Sequence, residues 1–229
     1  MSGRVGSITT GIITDGLVFN MDAANRASYP KSGTNAFNTI DTSNSGSLEN
    51  GIEYFPDRHS GGFKWDATDS YIILDSNFFS QNYTSFTHCA FVEFYSVAGS
   101  SIILDARDSS GDGVSFLMSS PSGDVLYAAL DSGNVTGGTT ISIDQVYHTT
   151  LTYDGQTAKL YLNGVPDGSS STSQAFNTTA KPTIGIRSFN IGSATPSSIY
   201  LYHICSYNRA LSATEVLHNY DALKGRFNL

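Results

Sequence analysis

One stretch constrains the fold of this chain more than any other: residues 145–165, QVYHTTLTYDGQTAKLYLNGV. Two runs rich in Val, Tyr, Thr and Leu flank Asp154-Gly155, and the second run closes on Asn163-Gly164. Both dipeptides tolerate positive φ, the backbone state that reverses a strand tightly. Ala158, Leu160 and Leu162 alternate with Lys159, Tyr161 and Asn163, the period of two that gives a sheet one dry and one wet face. The stretch predicts a hairpin followed by the start of a third strand. A chain organised around it is built from half-buried antiparallel strands.

The pattern extends in both directions. Runs at 16–21, 62–66, 71–74, 85–95, 101–105, 114–118, 125–130, 183–191 and 199–207 read as strands, separated by Gly, Asn and Asp. Short strands at such spacing predict an all-β sandwich or jelly roll rather than a parallel α/β sheet. Residues 85–95 are nearly continuous in β-formers and predict a central strand covered on both faces. The Gly/Thr-rich span after 130 and the polar span 169–179 read as connections. Residues 23–62 read either as a segment packed over the sandwich or as a long, poorly ordered loop. Residues 1–15 read as an arm, loose or docked on a neighbouring subunit, ahead of one domain over 16–229. One helix is expected from about 213 to 223: Ser212-Ala213-Thr214-Glu215 is a capping box, Ala213, Val216, Leu217 and Tyr220 share a face, and Gly225 is a stop signal.

Composition removes several classes of function. No run reaches the roughly 18 apolar residues that span a bilayer, so membrane insertion is not expected. A net charge of -8 without a basic cluster disfavours nucleic acid and anionic lipid as partners. The opening residues lack the pattern of a secretory signal, so the expectation is assembly in a cytoplasm. Cys89 and Cys205, far apart in sequence and each inside an apolar run, are expected as buried free thiols.

Several segments in order resemble a known family: residues 62–72, GFKWDATDSYI; Ser85-Phe86-Thr87; Tyr153-Asp154-Gly155 with Leu160-Tyr161-Leu162-Asn163-Gly164; Ile184-Gly185; and, most specific, residues 207–215, YNRALSATE. This order resembles the concanavalin A-like lectin/glucanase superfamily in its laminin-G-like branch, over about residues 16–227. The opening, Gly16-Leu17-Val18 with residues 22–25 and 28–34, is similar to lectin-like domains in virion proteins of tailed phages. The resemblance implies a jelly-roll sandwich of two antiparallel sheets with one short C-terminal helix. Calcium-holding members carry an acidic pair just ahead of the terminal strand motif, where this chain has Tyr202 and His203, so a calcium is not expected there. The family's aspartate-glycine step is Asp66-Ala67 here, followed by Asp69-Ser70.

The residues offer little for bond cleavage. A retaining glycosidase needs two carboxylates facing one cleft about 5 Å apart, and the four glutamates, Glu49, Glu53, Glu93 and Glu215, include no such spacing. No Gly-x-Ser-x-Gly elbow, phosphate loop or His/Cys metal spacing is present. His88, His148 and His203 fall on strands and read as hydrogen-bonded sheet residues. The most chemically suggestive stretch is 105–113, DARDSSGDG. There Asp105, Asp108 and Asp112 present three carboxylates that could gather round Ca²⁺, or join Arg107 in binding sugar hydroxyls beside an exposed Tyr161. The alternative is that Asp and Gly simply turn the chain. Asp66 and Asp69 carry the same two readings.

The function expected from this is a non-enzymatic phage virion surface protein, a capsid or tail decoration that assembles as a homo-oligomer with other virion proteins and binds host glycans. A free-standing carbohydrate-binding lectin is the first alternative, and a glycoside hydrolase the second. No cofactor beyond the calcium weighed above is expected.

Overall fold

At the hairpin, Asn163 and Gly164 both take positive φ, 51° and 79°, the pair of left-handed residues that a tight two-residue turn between twisted strands requires. Gly155 does the same at 101°, while Asp154 accepts hydrogen bonds from the backbone of Gln156 and Thr157 at 3.0 and 2.8 Å. The computed structural model describes residues 11–65, 69–74, 84–119, 122–172, 181–191 and 197–229. Among them the strands are β1 (Leu17–Asp22), β2 (Asn35–Ala36), β3 (Gly46–Glu49), β4 (Glu53–Phe55), β5 (Gly62–Lys64), β6 (Tyr71–Leu74), β7 (Phe86–Phe94) and β8 (Ser101–Asp105). They continue with β9 (Ser115–Ser119), β10 (Val125–Leu130), β11 (Gly133–Thr140), β12 (Val146–Tyr153), β13 (Thr157–Leu162), β14 (Val165–Ser171), β15 (Thr183–Ile184) and β16 (Ile199–Tyr207), before helix α1 (Ala213–Leu223).

These strands form two antiparallel eight-stranded sheets. The first runs β14-β13-β12-β7-β16-β5-β4, with β1 pairing the other half of the β16 edge that β5 uses. The second runs β11-β10-β9-β8-β15-β6-β3-β2. The apolar residues of the alternating strands, among them Phe86, Ala90, Val92, Leu151, Leu160, Phe116 and Leu126, fill the space between the sheets. The sandwich expected from the strand spacing is thus the architecture found.

The outer face of the first sheet is not wet across its middle. Val216 and Leu211 pack there on Cys89, Tyr161, Cys205 and Tyr207, and Phe227 packs on Phe91, Val146 and Tyr202. Helix α1 and the turn after it therefore seal β7 from outside, and every residue of that strand is buried, as its near-continuous run of β-formers predicts. The capping box is made: Ser212 Oγ accepts from the Glu215 amide, and Glu215 accepts from the Ser212 amide at 2.8 Å. Gly225 is not the stop. The helix runs into a 3-10 turn, Lys224–Phe227, and the left-handed residue is Asn228, φ 59°.

Other expectations need correcting. The span after residue 130 is largely strand β11, and the third strand expected after Gly164 is β14, which runs through Ser171 into the span read as a polar connection from residue 169. Both are edge strands without an apolar period, β11 rich in Gly and Thr and β14 in Gly and Ser, and they are held by their neighbours. Thr139 N of β11 donates to Asp167 Oδ1 of β14 at 3.0 Å, which links the two sheets at this side. Residues 23–62 are neither a loose loop nor a cover only, since β2, β3 and β4 extend both sheets. Past β15 the chain forms a 3-10 turn, Ser188–Asn190, rather than a longer strand. The described part of the arm docks on its own helix: Ile13 N donates to Asn219 Oδ1 and Ile13 O accepts from Tyr207 Oη.

Candidate functional site

The alternation in β13 sends Lys159 and Tyr161 to the outer face of the first sheet, where register sets them in cross-strand rows. Lys159 lies between Thr152 of β12 and Ser169 of β14, and Tyr161 between Thr150 and Pro166. The segment from Ala210 to the first turn of α1 rises beside these rows. Between them lie two adjoining hollows of about 390 and about 420 Å³ that share Lys159, Tyr161 and Ala213. One reaches Pro166, Gly168 and Ser169; the other reaches Thr152, Asp154, Ser212 and Glu215. Each volume falls within the range of small-molecule sites, roughly 300–1,000 Å³.

The groove holds one ammonium and two carboxylates, and both carboxylates are engaged. Hydrogen bonds from the Thr157 and Gln156 amides hold the Asp154 carboxyl below its ordinary value, helped by Lys159. Glu215 is pulled down to about 2, first by the Arg209 side chain and then by Ser212. Arg209 reaches Glu215 through Nη1 at 3.1 Å and Nη2 at 2.6 Å. Two acids kept ionised are suited to accepting hydrogen bonds. They lack the raised pKa that a general acid needs near neutral pH.

The residues singled out in the sequence distribute unevenly. Tyr161 lines the groove, but it is not the exposed platform expected of it: only 3% of it is accessible, because Leu211 and Val216 pack on the same cluster. Asp105 is fully buried and accepts from Arg107 Nη2 at 3.0 Å, from the Ser188 amide at 3.1 Å and from Ser188 Oγ at 2.7 Å. Its role is to join the loop after β8 to the turn at 188–190. Asp108 accepts from the Ser110 and Asp112 amides, while its own amide donates to the Asp112 carbonyl. Asp112 is exposed beside it. The loop is closed on itself, as the chain-turning alternative expects.

Arg107 turns its guanidinium to Asp105 and lies 5.3 Å from the exposed Phe189 ring. Asp69 is exposed, with its carbonyl accepting from Asn50 Nδ2; Asp66 lies outside the described residues. Among the described residues no group of three His, Cys, Asp or Glu side chains could hold a metal ion. The pair at the family's acidic positions is buried and engaged too, with Tyr202 Oη donating to Glu93 and His203 Nε2 facing Asn20 Oδ1 at 2.7 Å. At that place the residues present do not fit a calcium.

Lys159 and Ser169 were not assigned to a site by the sequence, and Asp154 and the 210–215 segment were singled out only as a turn, a family motif and a helix cap. Lys159 was legible as a wet-face residue, but its meeting with the helix start depends on how α1 docks, which no local pattern encodes.

Comparison with known proteins agrees with the architecture. Residues 66–217 match the laminin-G-like family model described as the Concanavalin A-like lectin/glucanases superfamily. No curated protein matches the chain by sequence. Among solved structures, the binding domain of Botulinum Neurotoxin DC in complex with SialylT superposes with a TM-score of 0.70 at 13% identity, over 92% of this chain and 52% of that one. The binding domain of Paraclostridial Mosquitocidal Protein 1 gives 0.70 at 15%, over 90% and 52%. Trypanosoma rangeli sialidase with 2,3-difluorosialic acid gives 0.69 at 18%, over 91% and 33%. The chain thus spans between a third and about half of these structures, and the likeness is one of fold.

Proposed function

Because the chain belongs to the laminin-G-like family of the concanavalin A-like lectin/glucanase superfamily, we propose that it is a non-enzymatic, lectin-like module that holds a glycan in the groove between β12–β14 and the start of α1. The observation that carries this reading is the groove itself, in which Lys159, Ser169, Ser212, Asp154 and Glu215 surround a floor made by Tyr161. Hydroxyls and charged groups of both hydrogen-bonding senses, beside the apolar surface of Pro166, Leu211 and Ala213, suit a ligand that is polar at its edge and apolar on its ring face. The depressed Asp154 and Glu215 favour binding over hydrolysis. The toxin binding domain solved with SialylT supports the same reading by fold.

A glycan array tests it. The wild-type chain is expected to give reproducible hits, weakened about ten-fold or more by Ser169→Trp, which fills the groove, and reduced by Lys159→Ala. An array blank with and without calcium, or hits indifferent to both substitutions, overturns it.

The setting belonging to this proposal is the surface of a phage particle, among other virion proteins and in many copies. The likeness of residues 16–34 to tailed-phage virion domains supports it. Many copies on one particle raise avidity by roughly 10²–10⁴ without tightening any single site, so a shallow groove suffices. Mass spectrometry of purified particles should find the protein as a stoichiometric component, and its absence excludes the setting while leaving the groove to be judged by the array.

A further inference from the structure

The chain's two cysteines, 116 positions apart in sequence, are directly opposed partners on neighbouring strands. Cys205 of β16 faces Cys89 of β7 in register. Partners across an antiparallel ladder have Cα atoms about 4.5 or 5.5 Å apart, inside the about 4.4–6.8 Å window that a disulfide spans. Both side chains join one cluster on the outer face of the first sheet, under Leu211 and Val216. Both are reduced in this structure and about 1% accessible.

We propose that Cys89 and Cys205 form an oxidation site, at which a small hydroperoxide converts the reduced pair into an intramolecular cross-strand disulfide beneath α1. Thr150 of β12 is the register partner of Cys89 on its other side, and His148 also interacts with that thiol. Burial pushes the Cys89 thiol up, and its interactions with the neighbouring Cys205 and His148 pull it down further, so that Cys89 is the more acidic of the two. Cys205 is held well above its ordinary value by Cys89 and by burial. This asymmetry sets an order, because the thiolate is the nucleophile.

The sulfur of Cys89 attacks one oxygen of hydrogen peroxide, the smallest such oxidant: an S–O bond forms, the O–O bond breaks, and the departing oxygen takes up the proton of the Cys89 thiol and leaves as water. The sulfur of Cys205 then attacks the resulting sulfenic acid: the S–S bond forms, the S–O bond breaks, and a second water leaves with the Cys205 proton. The two thiols lose two electrons in total and the peroxide gains them. Burial limits the oxidant to one of this size, since a bulky disulfide reagent cannot enter beneath the helix.

The test is to treat the folded full chain with hydrogen peroxide, quench, denature, and count free thiols. The expected count falls from two per chain to none. Peptide mapping should link the segments containing Cys89 and Cys205 within one monomer, and a dithiol reductant should restore both. Cys205→Ser is expected to stop at a sulfenic acid on Cys89 and Cys89→Ser at one on Cys205, each trapped by dimedone added with the denaturant, and neither variant to form the intramolecular link. Two free thiols persisting after treatment, or linkage found only between chains, overturns the proposal.

Discussion

Gly185 sits at φ +87° against the indole of Trp65, with no room for a side chain, because a Cβ there would overlap the ring nitrogen. Trp65 is fully buried, so the indole cannot swing outward to make space. Gly185→Ala combines a left-handed backbone cost with overpacking and should destabilise the fold by about 3 kcal/mol or more, read as a fall in the urea midpoint. An unchanged midpoint would contradict this close approach. Ile184-Gly185 was legible as a motif, but the reason for it was not, since the Trp65 ring arrives from a distant strand. Asp105 shows the same gap. A run of Asp and Gly announces a turn, and only the position of Ser188 reveals that the first carboxylate is consumed inside the protein. Tyr161 was assigned to the correct face and given the wrong exposure, because β alternation distinguishes two faces without saying what covers either.

Strands with strong signals were found within a residue or two of their places, including β6, β8, β10 and β16, and so was α1 with its capping box. Strand β11 was missed, and β14 was given its start but not its length, because their Gly, Thr and Ser residues carry no apolar period. Pairing at the sheet edges supplies what propensity does not. The central pair, β7 and β16, carries a property that can be measured. His88 and His203 are buried in it, and burial depresses them to about 3 and about 4 from an ordinary 6.5. The folded protein therefore favours their neutral forms. Their contribution is complete above pH 6.5, is lost as pH falls toward about 4 and then about 3, and levels off below. The shift at His203 corresponds to about 3 kcal/mol at the acid end. The urea midpoint should therefore fall steeply between pH 7 and pH 4.5, and His203→Asn should flatten part of that slope. A midpoint independent of pH over this interval would contradict neutral burial.

For the molecule as a whole, the same device that buries β7 on its outer side also creates the groove. Helix α1 covers the middle of the first sheet and reaches the β13–β14 turn at Gly164, where Leu217 and Tyr220 lie against it, leaving Lys159 and Ser169 beside the helix start. The sandwich was legible from strand spacing and motif order; the groove was not, because it is made by docking a helix on a sheet. Amide NMR titration of the chain with a sugar chosen from the array tests the central claim most directly. The account predicts shifts concentrated in residues 152–169 and 210–215, little change in the loop 105–113, and sugar signals that keep their integrals over days. Shifts centred elsewhere, or the appearance of new reducing-end signals, would contradict it.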